Sequence, residues 1–328
     1  MSIPFLDMLK RKLIIVTGKG GVGKSLIAAA VARVAATRGA NVLVMEIGEA
    51  ERMAAMFNAQ PSRGEVRRLD TRIDGLSCHQ DTAQETMAVS IIKLRFLYTT
   101  LIRSKLFKNF IDAVPGLHDM VLLNQVRLYA EQEAEDGHGP YDMVILDAPA
   151  TGHALSLLRV PELLRNIIGV GPLRRLLDRI TILLEDPQAA VLLPVALAED
   201  LPVTETLEFL TAVRERLGIA FGPVVANNLL GISGLSNAHR LMLRTPSAND
   251  SVRTRLPRAG LTGTGFEALA AAHDLFYARY LLQKKHLFRL MESGQTVVPV
   301  PRFQTNDEAA TTLEVAAWLL KPSTAEEL

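Results

Sequence analysis

One stretch near the N-terminus limits what this chain can fold into more than any other. Residues 16–27 read Val-Thr-Gly-Lys-Gly-Gly-Val-Gly-Lys-Ser-Leu-Ile. Gly18, Gly23, Lys24 and Ser25 satisfy the spacing G-x-x-x-x-G-K-[ST]. An apolar run (Leu13, Ile14, Ile15, Val16) precedes them and an alanine-rich helical stretch, residues 28–37, follows. Strand, glycine loop and helix in that order make a cradle for phosphate. The glycines let the backbone curl with its N–H groups pointing inward, and the helix turns the positive end of its dipole toward the same anion. On that scaffold Lys24 would reach the β- and γ-phosphates of a nucleotide, and the Ser25 hydroxyl would hold Mg²⁺.

The remainder of the chain suits a large α/β fold. It has 328 residues, 48% of them hydrophobic and 22% charged, enough to bury a sizeable core in one domain over residues 1–328. The formal net charge of +1 announces neither nucleic acid nor an anionic membrane. The N-terminal residues lack a long apolar segment, and no uninterrupted apolar run reaches the ~18 residues of a membrane span, so the expected location is cytoplasmic without stable membrane insertion. Cys78 is the only cysteine, which excludes an internal disulfide and any Cys-x-x-Cys metal site.

Further strands are expected at residues 41–47, 141–146, 191–197 and 223–228, with helices at 204–217 and 265–291. Alternation of this kind implies a mostly parallel sheet with helices on both faces and ligands at the carboxyl ends of its strands, an α/β P-loop NTPase architecture. The strand at 141–146 ends in Asp147, where an aspartate steadies Mg²⁺ through its water shell. The small-residue loop after it, Ala148 to Leu155, is placed to respond to a γ-phosphate.

Lys19 refines the picture. K-G-G-x-G-K-[ST] resembles the signature-lysine, or deviant Walker A, ATPases, in which this lysine crosses a dimer interface and places positive charge against the transferring phosphoryl group. A wider set of residues is similar to the arsenite-pump ATPase family, whose relatives include the eukaryotic targeting factor for tail-anchored membrane proteins. That set comprises Gly18 to Ser25, Asp147 with Thr151-Gly152-His153, Pro115-Gly116, Glu205-Thr206, Asn227, Gln283-Lys284-Lys285 and Val298-Pro299-Val300-Pro301. The resemblance implies an ATP-driven homodimer with a helical subdomain, about residues 84–138 and 160–190, that opens and closes over a client. Carried over by position, Gly18, Lys19, Gly20, Gly21, Val22, Gly23, Lys24, Ser25 and Leu26 would bind the phosphates, and Ser25 and Asp147 the Mg²⁺. Asn227 would read the adenine edge, and Pro301, Arg302 and Phe303 would line the base.

Three departures qualify the likeness. Where the family has an aspartate-proline-alanine-histidine segment that places the hydrolytic water, this chain has Met-Glu-Ile-Gly-Glu-Ala-Glu at 45–51. Glu46 is the candidate to orient water, with Glu49 as second choice, and a plain surface carboxylate is the alternative. A shift of ~1 Å in such a group can cost about a hundredfold in rate, so hydrolysis is expected to be slow or partner-triggered. The zinc that closes the dimer of the tail-anchor targeting relatives, held by a Cys-x-x-Cys pair from each chain, has no such donors here, and a single cysteine does not suit arsenite.

The client question falls on two apolar, basic stretches. One is residues 87–114; the other carries Leu173, Leu176, Leu177, Ile180 and Leu184 at helical spacing. They either form a groove for a hydrophobic client or bury their apolar faces in the core, because spacing alone cannot separate the two. Iron-protein relatives need two cysteines per subunit, and septum-positioning relatives need a basic C-terminal helix; this chain has one cysteine and an acidic tail. The expected function is a Mg-ATP-dependent dimeric switch that captures and releases a protein client, with no nucleic acid partner. A non-hydrolysing nucleotide-binding scaffold is the alternative.

Overall fold

The computed structural model describes residues 3–48, 51–78, 116–132, 140–230, 264–303, 305 and 307–321. A single turn, α1 (Phe5–Met8), precedes β1 (Leu13–Gly18), α2 (Lys24–Thr37), β2 (Val42–Ile47), the short α3 (Arg52–Met56), β3 (Arg67–Asp70) and β4 (Ile73–Cys78). After them come α4 (Leu117–Ala130), β5 (Met143–Ala150), α5 (Thr151–Ile167), α6 (Pro172–Glu185), β6 (Ala190–Leu197) and α7 (Asp200–Arg216). The chain continues through β7 (Val224–Leu229), α8 (Thr264–Glu292), β8 (Val297–Pro301) and α9 (Glu308–Leu319).

The strands form one 8-stranded sheet in the order β3-β4-β2-β5-β1-β6-β7-β8. Every neighbouring pair is parallel except β3 with β4. The inner strands read as unbroken apolar runs because both of their faces are covered. Side chains alternate between those faces. Leu13 and Ile15 of β1, Leu43 and Met45 of β2, and Val144 and Leu146 of β5 join a buried cluster with α4, α5, α6 and α7. Ile14, Val16, Val42, Val44, Met143 and Ile145 go the other way, into a cluster with α2 and α9. A parallel sheet also puts the carboxyl ends of β1, β2, β5, β6 and β7 on one rim, which is where the glycine loop lies.

The expected mostly parallel α/β sheet with helices on both faces is the fold observed. β5 runs three residues past Asp147, to Ala150, because its pairing with β1 continues to Gly18 opposite Ala150. The strands β3, β4 and β8 were outside the sequence expectation. β3 is a short edge strand with Arg67 and Arg68 exposed, and β8 carries Pro299 and Pro301, residues that demote a run as a strand and are tolerated at an edge.

Of the two apolar stretches, residues 87–114 lie outside the described residues. The second is α6, and its apolar side is turned into the core. Leu176, Leu177, Ile180 and Leu184 are buried, with Leu173 packed against the same cluster. Among the described residues, no helix is long and apolar enough to cross a membrane.

Candidate functional site

The loop between β1 and α2 is held tightly at two glycines. A Cβ on Gly18 would stand 2.1 Å from the backbone oxygen of Val195 on β6, so only glycine fits there. Gly23, the residue before α2, has φ +91, and a Cβ on it would meet the Asn227 side-chain nitrogen at 2.3 Å. That same Asn227 Nδ2 donates to the Val22 carbonyl at 2.9 Å and so ties the loop to the end of β7. Thr17 Oγ1 donates to the Pro149 carbonyl at 3.2 Å, joining the ends of β1 and β5. Lys24 Nζ donates to the Lys19 carbonyl at 3.1 Å across the loop. Burial lowers the Lys24 pKa; the nearby Asp147 opposes that shift and Arg52 adds to it.

Asp147 sits beside this lysine, and Glu46 stands next to Asp147 on the neighbouring strand. Ser25, in the first turn of α2, donates its hydroxyl to Asp147 Oδ2 at 2.6 Å. Asp147 Oδ1 is buried and has no hydrogen-bond partner among the described residues. Burial raises the Asp147 pKa against the lowering effects of the Ser25 bond, Lys24 and Arg52. A buried carboxylate with one orphaned oxygen next to a serine hydroxyl is a hard oxygen donor set, and it fits a hydrated Mg²⁺. Register places Glu46 of β2 opposite Asp147 of β5.

Glu46 is buried, and its side chain already has work. Its Oε2 accepts the backbone N–H of Arg52 at 2.8 Å and of Met53 at 3.4 Å, capping the start of α3. Burial, only partly offset by those two bonds, pushes its pKa from 4.5 to about 7, with the Asp147 and Glu51 charges adding to the rise. Glu46 therefore holds a proton more readily than a surface carboxylate does, and it faces the backbone of α3. Glu49, the second choice from the sequence, lies outside the described residues.

Lys19 makes an ion pair within its own chain, Nζ to Glu205 Oε1 at 2.7 Å, with both side chains about a third exposed. Glu205 stands in the second turn of α7, after β6. The sequence singled it out without a role; the pairing spans 186 positions and becomes visible only once β1 and β6 are neighbours.

Beyond the loop, away from Asp147, a pocket opens on the same rim. Val22, Gly23 and Leu26 form one part and Asn227, Pro301, Arg302 and Phe303 another, with Thr311 and Val315 of α9 completing it. The wall is braced. Phe303 meets Trp318 edge-on at 6.5 Å, Trp318 Nε1 donates to the Pro299 carbonyl at 2.7 Å, and the Arg302 N–H donates to the Leu229 carbonyl at 2.7 Å. Of the predicted loop residues, Gly21, Val22, Gly23 and Leu26 line this pocket together with Asn227 and residues 301–303, and Leu197, Asn228, Thr311 and Val315 are added; Gly18, Lys19, Gly20, Lys24 and Ser25 are not part of its lining. Nothing in the sequence marked α9, because its contribution depends on how the last helix folds back against α2.

A parallel sheet with this glycine loop after a central strand, and an aspartate at the end of the strand beside it, defines an α/β protein of the P-loop NTPase class. Within that class, the chain belongs to the anion-transporting ATPase family, whose model matches residues 11–177. It is similar to ATPase BagA of Mycobacterium tuberculosis, 30% identical over 223 residues, covering 66% of this chain and 64% of the relative. A putative arsenical pump-driving ATPase of Halobacterium salinarum is 27% identical over 65% of this chain and 35% of its own. An ATPase ASNA1 homolog of Plasmodium vivax is 27% identical over 48% of this chain and 38% of its own. The matches therefore span 64% of the mycobacterial relative's length and less of the other two.

Proposed function

We propose that this chain binds Mg-ATP at the loop, hydrolyses it slowly, and uses the cycle to pair two copies and to capture and release a protein client in the cytoplasm. The observation that carries the reading is the Ser25–Asp147 contact, with the orphaned Asp147 Oδ1 beside Lys24. Those groups would hold the ion and the phosphates, while the pocket between Val22 and Phe303 would take the base. Bound Mg²⁺ would supply charge neutralisation at the β- and γ-oxygens. Lys24 would bind those oxygens, Asn227 would keep the loop in shape, and Lys19 would leave Glu205 to reach the nucleotide of a second copy. The relatives named ATPases support the reading. The arsenical cargo in one relative's name is not carried over, because soft thiolates hold arsenic and the sole cysteine is buried with its pKa pushed up to about 12.

A second reading, a nucleotide-binding scaffold without turnover, draws on one observation: the Glu46 carboxylate is engaged by α3 rather than open to water. For Glu46 to orient a water, α3 would first have to release it.

Sedimentation with and without Mg-ATP tests the switch. Wild type should shift from monomer toward dimer on adding Mg-ATP, and Lys19→Ala should not. Glu205→Ala, which frees Lys19 in each of the two copies from a partly exposed pair worth up to about 1 kcal/mol, should dimerise at a protein concentration up to about thirtyfold lower. Unchanged sedimentation of wild type with Mg-ATP would refute the dimeric switch.

A further inference from the structure

We propose that Arg52 is a phosphate-binding residue of this site, a cation supplied from within the same chain to the terminal phosphate of a bound nucleoside triphosphate. The inference rests on the nucleotide reading above and adds a residue that the sequence did not suggest. Its placement is a chain of direct contacts. Ser25 of the loop bonds Asp147, Asp147 lies opposite Glu46 in the β5–β2 register, and Glu46 Oε2 holds the backbone N–H of Arg52 at 2.8 Å. Arg52 thus begins α3 at the rim where the loop lies, and the buried cap on its backbone limits where its side chain can reach.

The side chain is exposed, and among the described residues its guanidinium makes no hydrogen bond or ion pair. Glu51, next to it in sequence, accepts the Arg63 backbone N–H at 2.7 Å. Arg52 is nevertheless close enough to the loop for its charge to be felt at both Lys24 and Asp147. Two cations near each other repel, and an anion between them removes that cost. A guanidinium presents a planar fork of donors that matches two phosphate oxygens at once. The ligand chemistry is therefore the terminal phosphate of a triphosphate, whose charge Lys24 shares with the β-phosphate and which a diphosphate lacks.

The test is calorimetric titration of the full chain, with Mg²⁺, by ADP and by the non-hydrolysable imido analogue of ATP, for wild type, Arg52→Gln and Arg52→Lys. Arg52→Gln should weaken the triphosphate analogue on the order of ten- to a hundredfold and leave ADP within about twofold, the loss expected for a charged hydrogen-bonded contact. Arg52→Lys should recover part of that loss. Thermal unfolding without nucleotide should be the same for all three, since the side chain is exposed and its guanidinium makes no hydrogen bond or ion pair among the described residues. Equal affinities in wild type and Arg52→Gln, or an equal loss for both nucleotides, would overturn the role of Arg52 while leaving the nucleotide site standing. Wild type that binds neither nucleotide would overturn the nucleotide reading itself, and this inference with it.

Discussion

Glu46 is under two opposed demands, since burial favours its neutral form while the N–H groups of Arg52 and Met53 favour the carboxylate. Burial prevails, and the pKa moves from 4.5 to about 7. A carboxyl whose pKa is higher in the fold than in the unfolded chain stabilises the fold at low pH. That contribution is complete below 4.5 and is lost as pH rises through about 7. Gln at this position still offers an oxygen to α3 and cannot ionise. Urea unfolding should therefore show wild type losing stability relative to Glu46→Gln between about pH 5 and about pH 8, by roughly 3 kcal/mol at most. A difference between the two that does not change with pH would show that Glu46 is not buried as described. At this scale the loop residues were legible, because the glycines and Lys24 are adjacent in sequence and their spacing is itself the geometry. The cap on α3, the Lys19–Glu205 pair and the reach of Arg52 were not, because each depends on which strands become neighbours.

Among the elements, those that both faces of the sheet bury were easiest to read. β1, β2, β5, β6 and β7 stand within a few residues of their expected limits, as do α7 and α8, because continuous apolar runs bounded by turns leave little freedom. Of the strands missed, β3 and β8 are edge strands, where arginines and prolines hide the pattern, while the buried β4 reads IDGLSC, with Asp74 and Gly75 interrupting its apolar run. For α6, periodicity revealed an apolar face without saying what covers it; the fold turns that face inward. Leu177→Ala should therefore cost about 2–5 kcal/mol, as for a truncated core leucine, while Ile182→Ala on the exposed side should stay within about 0.5 kcal/mol. Chemical denaturation of the two variants separates the cases. Equal, small effects would mean that α6 presents its apolar face outward.

Across the whole molecule, the strand order makes one site from distant segments. Placing β1 between β5 and β6, with β7 one strand further, gathers Ser25, Asp147, Glu205 and Asn227 from across most of the chain onto one rim. Membership of the anion-transporting ATPase family agrees with that arrangement. The most direct test of the account is steady-state phosphate release from Mg-ATP by the purified full chain beside Lys24→Ala. The account predicts a slow rate that the substitution abolishes while the fold, checked by thermal unfolding, stays intact. A rate that survives in Lys24→Ala, or no release by wild type above that of the variant, would contradict it.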